Sequence, residues 1–569
     1  MIDLLRTYLR PQAPRVLFLA ALLTASLALQ LINPQILRRF IDSAAAGGAL
    51  PAVALTFVGL ALVQQALAAA ARYVAENVGW TATNRLRRDL LARTLRLDLG
   101  FHKAHTPGEL IERIDGDVSL LATFFSTMLV DLLTNGVLLA GILVLLYRED
   151  WRAGLTMTLF AAAAMGVLAA IRGIAVPHYR SLRELAAEFF GFLGEVLGAR
   201  EDLRAAGAET YVMNRFAVYQ RRWLPLRQRA AMRGISIWAT GLTLIAIGAA
   251  LALGVGAYLH GRGLITIGTV YLIFHYTELL AQPISQIRQQ IQELQSATAG
   301  ITRVTELLEQ KPRVLDGEGT PLPTGALEVA LDKVSFGYDD GDHVLKEISF
   351  RLAPGKVLGL LGRTGSGKSS LARLLLRLYD PDQGAVRLGG VDARRPALRQ
   401  LRSRAVLVTQ EVQLFSATVR ENLTFFDPSI ADSRLTAVLA ELGLTPWLAS
   451  LPLGLDTVIE ATGLSAGEAQ LLAFARAFLQ DPGLVILDEA SSRLDPATEA
   501  LIERAVDRLL AGRTGIIIAH RLATVERADE ILILDDGRIA EHGDRRRLAA
   551  EPSSRFAGLC RAGLEEVLA

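Results

Sequence analysis

The sequence predicts two structures in one chain: a helical membrane domain with six spans over residues 1–310 and a soluble α/β domain over 326–569. The first half contains apolar runs of about 20 residues, long enough to cross a bilayer. After a linker at 311–325, rich in Gly, Pro and charge, short β-type runs alternate with helical patterns. The chain is 51% hydrophobic with a mean hydropathy of +0.33, which is high for a soluble protein and supports the membrane assignment.

The six spans are predicted from apolar runs separated by loops of alternating length. They lie near 16–41, 52–78, 120–147, 151–176, 233–258 and 265–288. The connections at 79–119 and 177–232 are long and rich in Arg and Glu. Because arginine-rich loops stay in the cytoplasm, we expect these connections and the N-terminus there. They keep helical periodicity, so the spans are expected to extend beyond the bilayer as long cytoplasmic helices.

Each long cytoplasmic segment has a break near its middle. The first comprises Leu99-Gly100-Phe101-His102 followed by 106–110, and the second runs over 198–204. Gly and Pro stop a helix, so a short crossing helix is expected after each break. A plain helical hairpin turn is the alternative.

The predicted spans contain few polar residues. They are Asn33, Gln64, Gln65, Asp131, Asn135, His275 and Glu278. Ionisable groups in a membrane usually face a cavity or a partner. His275 and Glu278 are three residues apart and share a helix face. They form either a substrate-cavity or proton-linked pair, or a hydrogen bond between helices or subunits; Asp131, nearer the cytoplasmic end, is expected to be structural.

Composition excludes several classes of function. The chain has 60 basic and 58 acidic residues, and this balance gives no argument for nucleic acid. The single Cys560 excludes an internal disulfide and a cysteine-based metal cluster. The N-terminus lacks a signal-peptide cleavage pattern, so its first apolar run is expected to stay as a span.

A glycine-rich stretch in the α/β domain fits the phosphate-binding loop pattern G-x-x-x-x-G-K-[ST]. Its residues are Gly362, Arg363, Thr364, Gly365, Ser366, Gly367, Lys368 and Ser369. A predicted strand at 357–361 precedes it and a predicted helix at 370–379 follows it. This order gathers backbone N–H groups and a helix N-terminus around one point. We expect Lys368 to reach the β- and γ-phosphates and Ser369 to bind Mg²⁺.

Three further strands end in polar residues that suit phosphoryl transfer. The stretch at 484–489 is an apolar strand that ends in Asp488 and Glu489, which predicts a Mg²⁺ ligand and a general base for the attacking water. The strand at 516–519 is followed by His520, which can bond the γ-phosphate or simply cap the strand. Gln410 follows the strand at 405–408 in the same way.

With these motifs in order, the chain resembles an ABC transporter of the exporter type, with a membrane domain fused to a P-loop nucleotide-binding domain. Gln410 matches the Q-loop, Leu464-Ser465-Ala466-Gly467-Glu468 the signature, and His520 the switch histidine. Ser492-Arg493-Leu494-Asp495 matches the D-loop, and Tyr338 the aromatic residue that stacks on adenine. The breaks in the long segments match the family's coupling helices.

The resemblance implies a mechanism. Two chains pair and sandwich two ATP molecules with Mg²⁺, each between one chain's phosphate loop and the other's signature. Ser465, Gly467 and Asp495 would therefore belong to nucleotide sites shared with the second chain. Ser370 is expected to join the loop at the phosphates, and Ser369, Gln410 and Asp488 to hold the metal. Glu489, His520 and Gln410 are expected to be catalytic.

The signature departs from the family's usual Leu-Ser-Gly-Gly-Gln. Ala466 replaces the first glycine, and Glu468 replaces the glutamine and brings negative charge near an anion site. This pattern favours one half of a heterodimeric exporter, whose partner carries the better signature. A homodimer that tolerates both changes is the alternative.

The expected function is ATP-driven export of a small amphipathic substrate, a drug, lipid or peptide, across a bacterial inner membrane. The protein is expected to be multi-pass, with the nucleotide-binding domain in the cytoplasm. A homodimeric exporter or lipid flippase is the first alternative. An ATP-gated channel, a regulatory subunit or an importer of the same fold is the next.

Overall fold

The structure is a computed structural model that describes residues 2–45, 50–338, 341–460, 463–488, 496–519 and 522–562. The chain forms two compact units. The first contains residues 1–95 and 107–309, and the second contains 96–106 and 310–569. The segment 96–106, which belongs to the predicted membrane domain by sequence, groups with the α/β unit.

The membrane unit is built from helices. In chain order, with the one short helix of 96–106 included, they are α1 Ile2–Leu9, α2 Ala13–Ala45, α3 Leu50–Thr94, α4 Leu99–Ala104, α5 Pro107–Ile111, α6 Asp117–Thr123, α7 Leu129–Glu149, α8 Trp151–Gly198, α9 Arg200–Ala205, α10 Glu209–Gly261 and α11 Ile267–Glu309. Two π-helical segments, Glu112–Gly116 and Phe124–Met128, join α5, α6 and α7. The predicted spans at 52–78, 151–176 and 233–258 therefore lie within much longer helices, whereas the one at 120–147 runs over α6, the second π-helical segment and α7.

The helical membrane domain is confirmed. Among the described residues, five helices are long and apolar enough to cross a membrane: Arg6–Ala44, Leu50–Thr94, Pro107–Glu149, Trp151–Ile171 and Glu209–Gly261. A sixth apolar stretch, Ile267–Ala281, begins α11. Helices α3, α8, α10 and α11 have 45, 48, 53 and 43 residues. A span needs only about 20, so each continues well beyond the bilayer as expected.

The two breaks contain short helices, as predicted, but the first begins earlier than expected. Asp98 caps α4, and its carboxylate accepts a hydrogen bond from the Phe101 backbone at 3.2 Å. Gly100 therefore lies inside α4 and does not stop a helix. The second break follows the prediction, because α8 ends at Gly198 and α9 begins at Arg200.

The polar residues of the spans form specific contacts. The Asn135 amide donates to the Gln286 side chain at 2.8 Å. His275 Nδ1 lies 3.9 Å from a Glu278 carboxylate oxygen on the same helix face. Arg72, an ionisable residue of the second span that was not predicted to be important, has its guanidinium 3.7 Å from the carboxylate of Asp131.

The second unit is an α/β domain with short helices. Its strands are β1 Val329–Phe336, β2 Leu345–Leu352, β3 Val357–Gly362, β4 Gln383–Leu388, β5 Val391–Asp392, β6 Ala405–Val408, β7 Ala417–Thr418, β8 Val458–Ile459, β9 Leu484–Asp488, β10 Thr514–Ile518, β11 Glu530–Asp535 and β12 Arg538–Asp544. Its helices after α11 are α12 Lys368–Leu375, α13 Leu398–Arg404, α14 Val419–Thr424, α15 Asp432–Glu441, α16 Thr445–Ser450, α17 Ala466–Gln480, α18 Pro496–Leu510, α19 Leu522–Val525, α20 Arg545–Ala550 and α21 Arg555–Ala562.

A six-stranded sheet forms the centre of this domain, in the order β12-β11-β3-β10-β9-β6. Strands β11, β3, β10, β9 and β6 are parallel, and β12 is antiparallel at the edge. Every residue of β3 and β10 is buried, as expected for central parallel strands covered on both faces. A second, antiparallel sheet has the order β2-β1-β4-β5.

The helix after the phosphate loop is shorter than predicted. It begins at Lys368 and ends at Leu375, not at Tyr379. Arg377 adopts a left-handed conformation with φ of 49°, which a helix cannot continue through. Its buried guanidinium donates to the Asp380 carboxylate at 2.9 Å, and this contact stabilises the turn.

Candidate nucleotide-binding site

The predicted ATP-site residues follow parallel strands of the central sheet. The phosphate loop follows β3, Gln410 follows β6, and Asp488 ends β9. Because these strands are parallel, their carboxyl ends lie at one edge of the sheet. Ligands of open α/β sheets bind at this edge. The strand order therefore places the three motifs on the same side of the domain.

The phosphate loop needs glycine at two positions where its backbone turns sharply. Gly365 has φ of +85° and Gly367 has φ of +104°, both in the left-handed region. A Cβ atom on Gly367 would lie 2.6 Å from a Leu345 methyl carbon. These glycines let the loop close directly onto the N-terminus of α12, where backbone N–H groups can bind an anion.

Lys368 is held by the loop itself. Its ammonium group donates to the carbonyl oxygens of Gly362 and Arg363, the latter at 3.0 Å. The side chain is only 7% exposed. The buried hydroxyl of Ser366 has no hydrogen-bond partner among the described residues. A buried cation and an unsatisfied donor at a helix N-terminus suit a phosphate group.

One cavity of about 330 Å³ brings most of the predicted site together. The predicted residues that line it are Tyr338, Thr364, Gly365, Gly367, Lys368, Ser369, Ser370, Gln410 and Asp488. Val344, Arg373 and Ile518, which were not predicted as site residues, also line it. Ile518 ends β10 and shares its edge with the predicted residues, so strand order could have identified it. Arg373, five residues after Lys368, had no motif to mark it.

Tyr338 lies among polar and cationic groups. Its hydroxyl shares a hydrogen bond with Ser370 at 2.7 Å and accepts one from Arg373 at 2.8 Å. The Lys103 ammonium of α4 lies 4.5 Å from the centre of the ring, at cation–π distance. A residue of the first break thus contacts the aromatic ring predicted to stack on adenine. No sequence motif indicated Lys103.

Ser465 and Glu468 form a capping box at the start of α17. The Ser465 hydroxyl accepts from the Glu468 backbone at 3.2 Å. The Glu468 carboxylate accepts from the Ser465 backbone N–H and from its hydroxyl, both at 2.8 Å. The pattern S-x-x-E before an apolar run is the sequence signal for this motif, although the capping box was not among the predictions. The Ser465 hydroxyl proton is therefore directed at a carboxylate of its own helix.

Two residues of the predicted signature lie away from the cavity. Ser465 and Gly467 begin α17 and do not line the cavity, which fits a role at a second chain's nucleotide. Gln470 of α17 donates to the Thr409 carbonyl at 3.4 Å, next to Gln410. Glu489, Asp495 and His520 lie outside the described residues, so their roles stay predictions.

The donor set of the cavity fits Mg²⁺. Ser369, Gln410 and Asp488 supply hydroxyl, amide and carboxylate oxygens, the ligands this ion prefers. A bound Mg²⁺ would neutralise charge between the phosphates of ATP. Together with Lys368 and the loop N–H groups, these residues can bind a nucleoside triphosphate and orient its terminal phosphate.

Comparison with known proteins agrees with this geometry. Residues 16–284 match the ABC transporter transmembrane region, and residues 345–492 match the ABC transporter family. A probable multidrug resistance ABC transporter ATP-binding/permease protein of Bacillus subtilis is 31% identical over 82% of this chain and 70% of its own length. An ATP-dependent lipid A-core flippase of Idiomarina loihiensis is 29% identical over 87% of this chain and 86% of its own length.

A solved structure has the same fold. It is described as a bacterial Atm1-family ABC exporter with ATP bound, and it superposes with a TM-score of 0.81 at 26% identity. The match covers 96% of this chain and 99% of that chain. The chain therefore belongs to the ABC transporters, as an exporter-type half-transporter in which ATP hydrolysis is coupled to transport across the membrane.

Proposed function

We propose that this chain is one half of a heterodimeric exporter that moves an amphipathic substrate out across a bacterial inner membrane. The second half would be a different chain with a signature closer to the family pattern. The present chain would supply the phosphate loop and the predicted general base Glu489 of one ATP site. Its signature would serve the other site.

The capping box at Ser465 is the observation that carries the heterodimer proposal. In a closed dimer, the signature serine must offer its hydroxyl to the γ-phosphate of the opposing nucleotide. Here the hydroxyl lies 2.8 Å from the Glu468 carboxylate, which competes for the proton and repels the phosphate. A glutamine at this position would keep the capping box without the charge. The signature of this chain would therefore bind the γ-phosphate of the opposing ATP weakly.

The chain's own residues support hydrolysis at the ATP site that its phosphate loop forms. Lys368 and the loop N–H groups would bind the phosphates, and Gln410 would sense the terminal one. Glu489 would take a proton from the attacking water as general base. Closure would depend on γ-phosphate contacts that exist only before hydrolysis, so turnover would reset the dimer. We propose that α4 and α9 transmit this closure to the spans as coupling helices.

The substrate proposal rests on the membrane unit and on the relatives. The spans are lined mostly by Leu, Ala, Val and Ile, with a small number of polar groups. The relatives named above include a multidrug resistance transporter and a lipid flippase, and both names indicate amphipathic cargo. A homodimeric lipid flippase is the second candidate, and the flippase relatives favour it.

Transport tests the proposal directly. In inside-out vesicles that contain the exporter, ATP should drive accumulation of an amphipathic dye such as rhodamine 6G. A non-hydrolysable ATP analogue should not support it, and Lys368→Ala should abolish it. Dye movement that runs down its gradient and needs only ATP binding would instead indicate an ATP-gated channel.

A further inference from the structure

The linker at 311–325 lies along helix α13 of the α/β unit and is bonded to it at several points. Residues 311–325, all of which the structure describes, form no helix or strand. They follow α11, which ends at Glu309. Linkers rich in glycine are flexible when nothing holds them. The contacts with α13 therefore decide whether this linker can pass a movement from α11 to the α/β unit.

Asp316 holds the N-terminus of α13. One of its carboxylate oxygens accepts a hydrogen bond from the backbone N–H of Leu398, the first residue of the helix, at 2.7 Å. The N-cap position itself is occupied by Ala397, whose methyl side chain cannot accept a hydrogen bond. The first N–H groups of a helix need an acceptor from outside the helix. Asp316 supplies it, so the linker caps α13.

The linker is also bonded to the other end of α13 and to the loop before it. Arg404, the last residue of α13, donates to the carbonyl oxygens of Pro323 at 3.3 Å and Gly325 at 2.5 Å. Ahead of the helix, the backbone N–H groups at 319–320 donate to the carbonyl oxygen of Arg395 at 3.0 and 3.3 Å. The helix is thus held by the linker at both ends.

Apolar packing adds to these bonds. Leu322 of the linker and Leu401 of α13 are buried in the same hydrophobic cluster. A Cβ atom on Gly317 would overlap the carbonyl oxygens of Arg395 and Pro396. The linker backbone therefore approaches the α13 loop as closely as glycine allows. Because it is both bonded and packed, the linker should move together with α13.

Helix α13 leads directly into the nucleotide cavity. Strand β6 begins at Ala405, immediately after α13, and Gln410 follows two residues after the end of the strand. Gln410 lines the cavity together with Lys368 and Asp488. Strand β6 is the last strand in the order of the central sheet. A shift of α13 therefore reaches Gln410 through one short strand.

We propose that Asp316 is a positioning residue for Gln410. It fastens the linker to α13, so that a displacement at the end of α11 reaches Gln410 through the linker, α13 and β6. Coupling of this kind is reciprocal, so nucleotide contacts at Gln410 stabilise the docked linker in return. The inference rests on nucleotide binding by this domain and needs neither a second half-transporter nor a known substrate.

Hydrogen–deuterium exchange of the full-length chain in nanodiscs measures this coupling. Mg²⁺ with AMP-PNP should slow exchange of the linker amides at 316–322 by about 5-fold or more. Gln410→Ala should abolish this response, while nucleotide still protects the phosphate-loop amides at 362–370. A linker with a purely structural role would exchange at the same rate with and without nucleotide.

Variants of the linker locate the coupling at Asp316. Asp316→Ala should speed linker exchange by about 5-fold without nucleotide and remove the nucleotide response. Gly317→Ala should do the same by steric overlap, whereas Asp316→Asn keeps an oxygen acceptor and should behave as the wild type. Asp544→Ala is the matched control, because Asp544 caps α20 by accepting from the Arg547 backbone at 3.0 Å.

Four results would overturn the proposal. The first is a linker that exchanges as fast as an unstructured peptide in the wild type. The second is an unchanged linker when nucleotide protects the phosphate loop. The third is a nucleotide response that survives in Asp316→Ala or in Gln410→Ala. The fourth is an equal loss of the response in Asp544→Ala.

Discussion

Replacement of Glu468 by glutamine should strengthen the ATP-bound closed state. The Ser465 hydroxyl lies 2.8 Å from the Glu468 carboxylate. A γ-phosphate oxygen that accepts from the same hydroxyl would lie about 2.7 Å beyond it. The two negative charges would then be at most about 5.5 Å apart. Their repulsion is about 0.8 kcal/mol at the dielectric constant of water and about 3 kcal/mol at an effective value of 20.

The cost of the substitution to the helix does not change the closure equilibrium. Glutamine can still accept from the Ser465 backbone, so the capping box survives. The lost charge at the N-terminus of α17 removes about 0.3 to 1 kcal/mol of helix-dipole stabilisation. This loss falls on the free and closed states alike, because α17 is intact in both. The ATP concentration for half-maximal closure should therefore fall by about 4-fold to about 150-fold.

Vanadate trapping of radiolabelled nucleotide in nanodiscs that contain this chain together with its second half-transporter measures this closure as a function of ATP concentration. The chain offers a matched control, because Thr418 and Glu421 form a second capping box at the start of α14. The Glu421 carboxylate accepts from the Thr418 backbone N–H and from its hydroxyl, both at 2.9 Å, and these bonds lower the pKa of Glu421. Glu421→Gln makes the same chemical change outside the signature.

The two variants should differ in their response to ATP. Glu468→Gln should shift the trapping curve to lower ATP, and Glu421→Gln should leave it unchanged. Equal curves for both variants and the wild type would refute the claim that the carboxylate opposes closure. A shift of Glu468→Gln to higher ATP would show that the charge assists closure.

The remaining predictions concern the nucleotide site formed by this chain's own phosphate loop. Lys368→Ala removes a charged hydrogen-bond donor worth about 1.5 to 3 kcal/mol, so it should weaken ATP binding by about 10-fold to 150-fold in a nucleotide titration. The circular dichroism spectrum should stay unchanged. An affinity equal to that of the wild type would exclude a contact between Lys368 and the phosphates. Glu489→Gln should remove most turnover while ATP stays occluded, as measured by nucleotide retention after gel filtration; full turnover would rule out the general-base role. Lys103→Ala should improve ATP affinity about 2-fold to 5-fold, because it removes an ammonium group whose contact with the Tyr338 ring is worth about 0.5 to 1 kcal/mol and competes with adenine. Lys103→Arg keeps a cation there and should not improve the affinity. Equal affinities for both variants would place adenine on the other face of the ring.

The sequence predicted the fold well wherever a single physical pattern dominated. Apolar runs indicated the spans, and short buried runs located β3, β6, β9 and β10 closely. Helix ends were less certain. The helix after the phosphate loop stops at Leu375 because Arg377 adopts a left-handed conformation, and its later leucines kept a helical spacing that hid this turn.

Contacts between distant segments were beyond sequence reasoning. The cation–π contact of Lys103 with Tyr338 joins residues that no motif connects. The charged group of Arg72, Glu76 and Asp131 depends on the packing of α3 against the start of α7. By contrast, the capping box at Ser465 is indicated by the local pattern S-x-x-E and could have been predicted.

The heterodimer claim is tested most directly by the mass and ATPase rate of this chain purified alone in nanodiscs, with Lys368→Ala as the inactive reference. We predict a monomer, or an assembly that hydrolyses ATP hardly faster than the reference. Addition of a second half-transporter should restore turnover that depends on Glu489. A two-copy assembly of this chain alone with robust, Glu489-dependent hydrolysis would contradict the claim and establish a homodimer with a working Leu-Ser-Ala-Gly-Glu signature.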